Sequence, residues 1–185
     1  MSEKQYKTAR EANGLQVGDT APDFKASDLY DNAFHLEEAL KKGPLVLIFY
    51  RGQWCPICNK HLKKLEKRLE DIYSQGASVA AVSPEKSEFL KRTAKKTHAS
   101  FTLLHDENYT ISDKFDVTFK PGKFSRLIYN GILGADLKEA HTDDSQRLPI
   151  PATYIINRNK KIVWRHFTPD YKRRSSIDDI IRNIP

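Results

Sequence analysis

Cys55 and Cys58 are the only cysteines of the chain, set two residues apart in Arg51-Gly52-Gln53-Trp54-Cys55-Pro56-Ile57-Cys58. Two thiols at that spacing can close to a bridge, reopen, and carry two electrons in each cycle. The stretch before them, Leu45-Val46-Leu47-Ile48-Phe49-Tyr50, is continuously apolar and rich in β-branched and aromatic residues, the pattern of a strand buried on both faces. After them Leu62, Leu65, Leu69 and Ile72 recur at three- and four-residue spacing among lysines, an arginine and glutamates, which predicts an amphipathic helix. A C-x-x-C between a buried strand and a helix, with no other cysteine in the chain, reads as a redox pair.

Pro56 suits the first helical position. Cys55 is then the N-cap and Cys58 lies in the first turn, with Cβ atoms about 5–6 Å apart, close to what a disulfide needs. The free N–H groups and positive end of the helix favour a thiolate at Cys55. Lys60, His61, Lys63 and Lys64 add positive charge in the next turn. Competing chemistries fit less well. His61 extends the motif to C-x-x-C-x-x-H, but structural zinc needs four ligands and there is no second cysteine pair, so no metal and no other cofactor is expected. Haem attachment needs His at position 59, which is Asn. An inert bridge closing so short a loop would restrain the unfolded chain little.

With 185 residues, 39% hydrophobic and 30% charged, the chain has the composition of a globular domain with its own core. Residues 1–13 read as an N-terminal extension and 14–185 as one domain. The first dozen residues lack an apolar signal core and no window reaches membrane-spanning length, which points to the cytoplasm, where paired cysteines are more often catalytic than structural. The net charge of +7 falls largely on polar helix faces, among them Lys63, Lys64, Lys67, Arg68, Lys91 and Lys95. No nucleic-acid motif accompanies it, so specific nucleic-acid binding is not expected, whereas acidic partners and small anions would be attracted.

Gly76 ends the cysteine helix, and Ala77 to Val82 reads as the next buried strand, making a parallel βαβ unit. A surface helix over 85–96, a short strand at 101–104 and a helix from Asn108 to about Phe115 capped by Asp106 follow. Residues 116–149 are too apolar for a linker. They read as an insertion that packs on the fold, with a helix flanking the active site, a lid or a homodimer contact as the other roles. Pro151–Ile156 and Lys161–Phe167 make a hairpin, and Ser175 or Ser176 caps a final helix through Ile177, Ile180 and Ile181. The order predicts an α/β fold, a mixed central sheet with helices on both faces.

Val17-Gly-Asp-Thr-Ala-Pro-Asp-Phe24, Leu45 to Tyr50, Arg51 to Cys58 and Leu148-Pro-Ile-Pro-Ala-Thr-Tyr154 together resemble the peroxiredoxin-like members of the alkyl hydroperoxide reductase/thiol-specific antioxidant (AhpC/TSA) family. The resemblance runs from about residue 14 and implies a thioredoxin-like fold of the peroxiredoxin variant, with thiol-based antioxidant chemistry. Peroxiredoxins carry Pro-x-x-x-Thr-x-x-Cys and a distant Arg around the peroxide. Here Arg51 stands at the Pro, Cys55 at the Thr, Cys58 at the peroxidatic cysteine and Pro151 at the Arg. Loss of donors to the peroxide removes transition-state stabilisation. Trp54, Cys55, Cys58 and Pro151 instead resemble thioredoxin, which implies a cis Ile150–Pro151 bond lying against the cysteines. The implied enzyme is a dithiol oxidoreductase that reduces disulfides or peroxides and is reset by a thiol reductant of thioredoxin or glutathione type. Helix position and expected exposure make Cys55 the first attacker. The alternatives are a true thiol peroxidase with Cys58 peroxidatic, and a non-enzymatic redox-sensitive binding module.

Overall fold

The protein is described from a computed structural model, over residues 6–185. In chain order the elements are β1 (Lys25–Asp28), β2 (Ala33–His35), α1 (Leu36–Lys42), β3 (Leu45–Phe49), α2 (Pro56–Lys67), α3 (Leu69–Tyr73), β4 (Ser78–Ser83), α4 (Ser87–Thr97) and β5 (Thr102–His105). A 3-10 turn at Glu107–Tyr109 leads to α5 (Thr110–Lys114), β6 (Thr118–Phe119), α6 (Lys123–Gly131), α7 (Leu137–Ala140), β7 (Leu148–Pro149), β8 (Ala152–Ile156), β9 (Ile162–Phe167) and α8 (Ile177–Arg182).

Every residue of β3 is buried, as a strand covered on both faces requires. Its side chains nevertheless alternate. Val46 and Ile48 join Leu62, Leu65, Leu90 and Ile180 in a core on one face. Leu45, Leu47 and Phe49 join Leu36, Leu40, Ile111 and Phe115 in a core on the other. The seven-stranded sheet runs β2-β1-β5-β4-β3-β8-β9. β3 is parallel to β4, with Val46 opposite Val79, and antiparallel to β8, with Leu47 opposite Tyr154. α2, α4 and α8 cover the first face, and α1 and α5 the second. This is the expected mixed sheet with helices on both sides. Among the described residues no helix is long and apolar enough to cross a membrane.

The secondary structure departs from the sequence reading in three places. The helix expected through Ile72 breaks at Arg68 (φ −116°, ψ 15°), whose guanidinium turns out to bind Asp71 and, at 2.8 Å, Asp178 on α8. Asp106 caps α5 across an intervening 3-10 turn, accepting from the Ile111 and Ser112 amides at 2.7 and 2.9 Å. Within 116–149, β6 and β7 pair as a separate two-stranded ribbon around α6 and α7. Ala135, Leu137 and Leu148 from this region complete the first core, so it packs as expected. α6 also flanks the cysteines.

The turn entering β3 passes the turn entering β4 with almost no clearance: the Ser78 amide donates to the Pro44 carbonyl at 2.9 Å, and a Cβ on Gly43 would lie 2.0 Å from the Gly76 carbonyl oxygen. Gly43→Ala should force these two turns apart and lower the unfolding free energy by about 3 kcal/mol. Gly131→Ala, at a helical glycine with open space around it, should stay within about 1 kcal/mol of wild type. Urea unfolding of both variants checks this, and equal midpoints would refute the close-contact account.

Candidate functional site

Beyond β3 the Tyr50 amide donates to the Val82 carbonyl at 3.0 Å, so the strand ladder holds the chain up to the loop that carries the cysteines. Three anchors fix that loop. The buried Glu85 carboxyl accepts the Gln53 amide at 2.9 Å, Asn59 Nδ2 donates to the Gln53 carbonyl at 2.8 Å, and Lys96 Nζ donates to the same carbonyl at 3.2 Å. Gly52 (φ +154°) lies against Glu85 Oε1 and Trp54 Nε1, which a Cβ there would approach to 2.4 and 2.6 Å. Only glycine fits both that dihedral and that space.

The Cys55 amide donates to the Gly52 carbonyl at 3.1 Å, closing the turn, and α2 begins at Pro56 with Cys55 as its N-cap. Cys55 Sγ accepts from the Cys58 amide at 3.4 Å. Both cysteines are free thiols. They are 0% and 1% exposed, which corrects the expectation that Cys55 is open to solvent. Arg51 and the aromatic rings stacked on it cover Cys55.

Arg51 Nη2 is 3.3 Å from Cys55 Sγ, and Nη1 donates to the Tyr129 hydroxyl at 3.3 Å. The guanidinium stacks over the rings of Trp54, Tyr129 and Tyr171, with its central carbon 4.9, 5.2 and 4.3 Å from the ring centroids. Trp54 and Tyr129 also pack on each other, 5.0 Å between centroids. On the other sulfur, Arg174 Nη2 lies 3.3 Å from Cys58 Sγ. The loop that carries Arg174 is pinned through Ser175: His61 Nε2 donates to its carbonyl at 3.1 Å, and its hydroxyl meets Thr153 Oγ1 at 2.9 Å.

This arrangement separates the two thiols. Hydrogen bonds from Cys58, and then the Arg51 guanidinium, push the Cys55 thiol down to about 5 against the opposing effect of burial. Burial, together with the negative sulfur of Cys55, pushes Cys58 well above its ordinary value, and Arg174 only partly offsets this. Cys55 is therefore the thiolate at neutral pH and Cys58 the thiol. Burial likewise lowers His61 to about 4, so this residue is neutral and does not supply the positive charge expected of it. Burial raises the Glu85 carboxyl to about 8.

All six residues singled out in the sequence meet here. Arg51 and Trp54 cover Cys55, Pro56 opens α2, and Pro151 lines a cavity of about 10 Å3 beside Cys58 with Thr153, His166 and Arg174. The Ile150–Pro151 bond is not cis, since no peptide bond among the described residues is, contrary to the thioredoxin resemblance. Residues 148–149 pair with 118–119, and the Ile150 amide donates to the Val117 carbonyl at 2.7 Å, so the chain reaches Pro151 already extended. Sequence reasoning missed Arg174, Tyr129, Tyr171 and Glu85. The apolar character of 116–149 was the one signal toward any of them. Arg174 sits 116 positions from the cysteine it touches, in a basic stretch that looks like solvated surface.

Residues 17–165 match the AhpC/TSA family. Peroxiredoxin Bcp of Escherichia coli K12 is 31% identical over 152 residues, covering 78% of this chain and 96% of that protein. Thiol-disulfide oxidoreductase ResA of Geobacillus thermodenitrificans is 25% identical over 138 residues, covering 70% and 78%. Among solved structures, peroxidoxin BcpB of Mycobacterium tuberculosis superposes with a TM-score of 0.69 at 20% identity over 91% of this chain and 96% of that one. A peroxiredoxin-like protein from Aquifex aeolicus gives 0.69 at 19% identity, covering 92% and 86%, so the fold is thioredoxin-like in its peroxiredoxin form. With its buried dithiol at the start of α2, the chain belongs to the AhpC/TSA family, as an oxidoreductase with thiol-based redox function of the peroxiredoxin type.

Proposed function

We propose that the protein is a dithiol–disulfide enzyme that works as one thioredoxin-like domain from about residue 14, with Cys55 as nucleophile and Cys58 as resolving thiol. The observation that carries this is the Arg51 guanidinium 3.3 Å from Cys55 Sγ, which adds to the hydrogen bonds from Cys58 in favouring one sulfur of the pair as the anion. With a peroxide, the Cys55 thiolate attacks the O–O bond, keeps one oxygen as a sulfenic acid and releases an alkoxide that takes a proton. The Cys58 thiol then attacks the sulfenic sulfur, the Cys55–Cys58 bond forms and water leaves. With a disulfide, Cys55 forms a mixed disulfide and expels one thiolate, and deprotonated Cys58 expels the second. Two electrons from an external thiol reductant reopen the bridge. Thiol chemistry of this kind suits a reducing compartment, and the reading places the protein in the cytoplasm.

A second reading has one observation of its own. Arg174 and the 10 Å3 cavity, about the size of one water-sized oxygen, both lie at Cys58, which suits a peroxidatic Cys58 as in the true peroxidases. The two separate in variants. On the main reading, Cys58→Ser keeps rapid oxidation by peroxide and accumulates a sulfenic acid, while Cys55→Ser slows oxidation at least about 100-fold. Stopped-flow fluorescence of Trp54, in a Trp164→Phe background, with mass-spectrometric trapping of the sulfenic acid reads both. The reverse pattern assigns the nucleophile to Cys58.

The Arg51 contact makes a pH prediction. The thiolate absorbance of the reduced protein should titrate with a midpoint near 5, and Arg51→Met should raise that midpoint by roughly one to two units. The rate of oxidation at pH 6 should fall with it. An unchanged midpoint would remove Arg51 from the mechanism.

Glu85 holds the turn at 52–54 and has no contact with the reacting sulfurs, so it is a positioning residue. Because its folded-state carboxyl titrates above its unfolded value, the native state binds the extra proton, and the wild type should lose stability as pH rises from about 4.5 to 8. Glu85→Gln keeps an oxygen for the Gln53 amide and lacks that penalty. Its stability relative to wild type should climb across this window by about 2–4 kcal/mol. Urea unfolding at several pH values tests this, and parallel stability curves would contradict it.

A further inference from the structure

Cys58 must lose a proton before it can attack Cys55, and it is buried with its thiol held well above its ordinary value, so bulk water is not at hand to take that proton. The packing around it supplies an internal acceptor. Ile48 on β3 lies opposite Thr153 on β8, and Thr153 lies opposite His166 on β9. Directly paired residues share a face of the sheet. Ile48 belongs to the core that contains Cys58, so the His166 ring stands on the α2 side. Cys58, Thr153, His166 and Arg174 line one cavity of about 10 Å3. That volume, with several polar groups around it, suits a single water.

Two histidines border that cavity, and their Nε2 atoms differ. His61 Nε2 donates to the Ser175 carbonyl at 3.1 Å, so it already carries a hydrogen. His166 Nε2 is buried and, among the described residues, has no hydrogen-bond partner. The His166 side chain as a whole is only half-buried, and β9 is an edge strand of the sheet, so this ring joins the interior to solvent. The charged and titratable groups around it are Arg173 and Arg174 between β9 and α8, Asp179 on α8, and His61 and Cys58 on α2. Burial holds His166 below its ordinary value, helped by the two arginines, while the Arg173 carbonyl opposes this by accepting a hydrogen bond from the ring, as does the charge of Asp179. With Nε2 unpartnered, that bonded hydrogen is on Nδ1. Neutral His166 therefore presents a lone pair at Nε2.

We propose that His166, acting through one water in this cavity, takes the proton of Cys58 in the resolving step. The proposal rests on the dithiol–disulfide reading above and names the base for its second half. The water accepts from the Cys58 thiol and donates to His166 Nε2, which leaves a Cys58 thiolate beside Arg174 and an imidazolium at His166. The thiolate attacks Cys55 Sγ of the mixed disulfide, the Cys55–Cys58 bond forms and the second substrate thiolate leaves. The imidazolium then releases its proton to solvent at the sheet edge. When the bridge is reduced, the same path returns a proton to Cys58. After a peroxide, the hydroxide leaving the sulfenic sulfur takes up a proton itself, so the demand on His166 is greatest with disulfides.

The test uses the reduced full-length protein and dithiodipyridine, whose two coloured thiopyridone equivalents report the attack of Cys55 and then that of Cys58 in a stopped-flow trace. In the wild type the second release should quicken with pH and level off by about pH 7, once His166 is neutral. His166→Gln should slow the second release about 100-fold at pH 7 and leave the first within about twofold. Its second release should keep quickening with hydroxide at higher pH, and added imidazole should restore the second release of His166→Gly. A variant that keeps the wild-type rates or pH profile overturns the proposal with the dithiol reading intact. Equal slowing of both releases marks a structural role and overturns it too, and slowing of the first alone assigns His166 to a Cys58 that attacks first. Cys58→Ser should release one equivalent and stop. If it releases none, or if the wild type stops at one, the underlying reading falls and the proposal with it.

Discussion

A cation sealed in the interior needs an anion, and the only anion the site offers Arg51 is the sulfur of Cys55. Arg51 is 2% exposed and, among the described residues, has no carboxylate partner. Leaving such a charge uncompensated costs several kcal/mol. Aromatic faces and one hydroxyl lower that cost without cancelling it. The thiolate completes the compensation. Burying Cys55, which would ordinarily make it inert, here places it where one guanidinium has the largest effect on it.

The scaffold serves that contact from several directions. β3 carries Arg51 to the end of the sheet, the βαβ crossover starts α2 at Pro56, and Glu85 on the neighbouring strand's exit holds the intervening turn through the Gln53 amide. Tyr129 comes from the segment between β6 and β7, and Tyr171 and Arg174 from the segment between β9 and α8. The two sulfurs thus have different neighbours by construction. One faces a caged cation and a helix N-terminal amide, while the other lies against the guanidinium of Arg174.

What the sequence could reveal follows the range over which each signal acts. Periodicity is local, so β3, the spacing of Leu62 and Leu65 and the closing hairpin were legible, and the C-x-x-C between strand and helix located the chemistry. The break at Arg68 was not legible, because Leu65, Leu69 and Ile72 keep helical spacing across it, and the Asp178 that Arg68 meets is more than a hundred positions away. Arg174 and Tyr171 belong to a run of basic and polar residues that has no periodicity at all. Burial of His61 was hidden for a similar reason: its partner Ser175 is distant, and beside three lysines it reads as one more cation. Nor could the resemblance to thioredoxin foresee a trans Pro151, since the ribbon that extends residues 148–150 is made with Thr118 and Phe119.

The same charge argument couples redox state to access. In the reduced state Arg51 lies against Cys55 Sγ on one side and against Tyr129 and Tyr171 on the other. A Cys55–Cys58 bridge would replace the Cys55 thiolate with a neutral disulfide, and Arg51 would keep only ring faces and a hydroxyl. The closed arrangement would then carry an unpaired buried cation, and the free energy that closes the site would fall. The parts that would yield are the least anchored: α6, which presents Tyr129, buries none of its nine residues, and Phe124 and Leu127 on it are 75% and 70% exposed. On the dithiol–disulfide reading, the bridged state would thus be the one in which the cover is weakest.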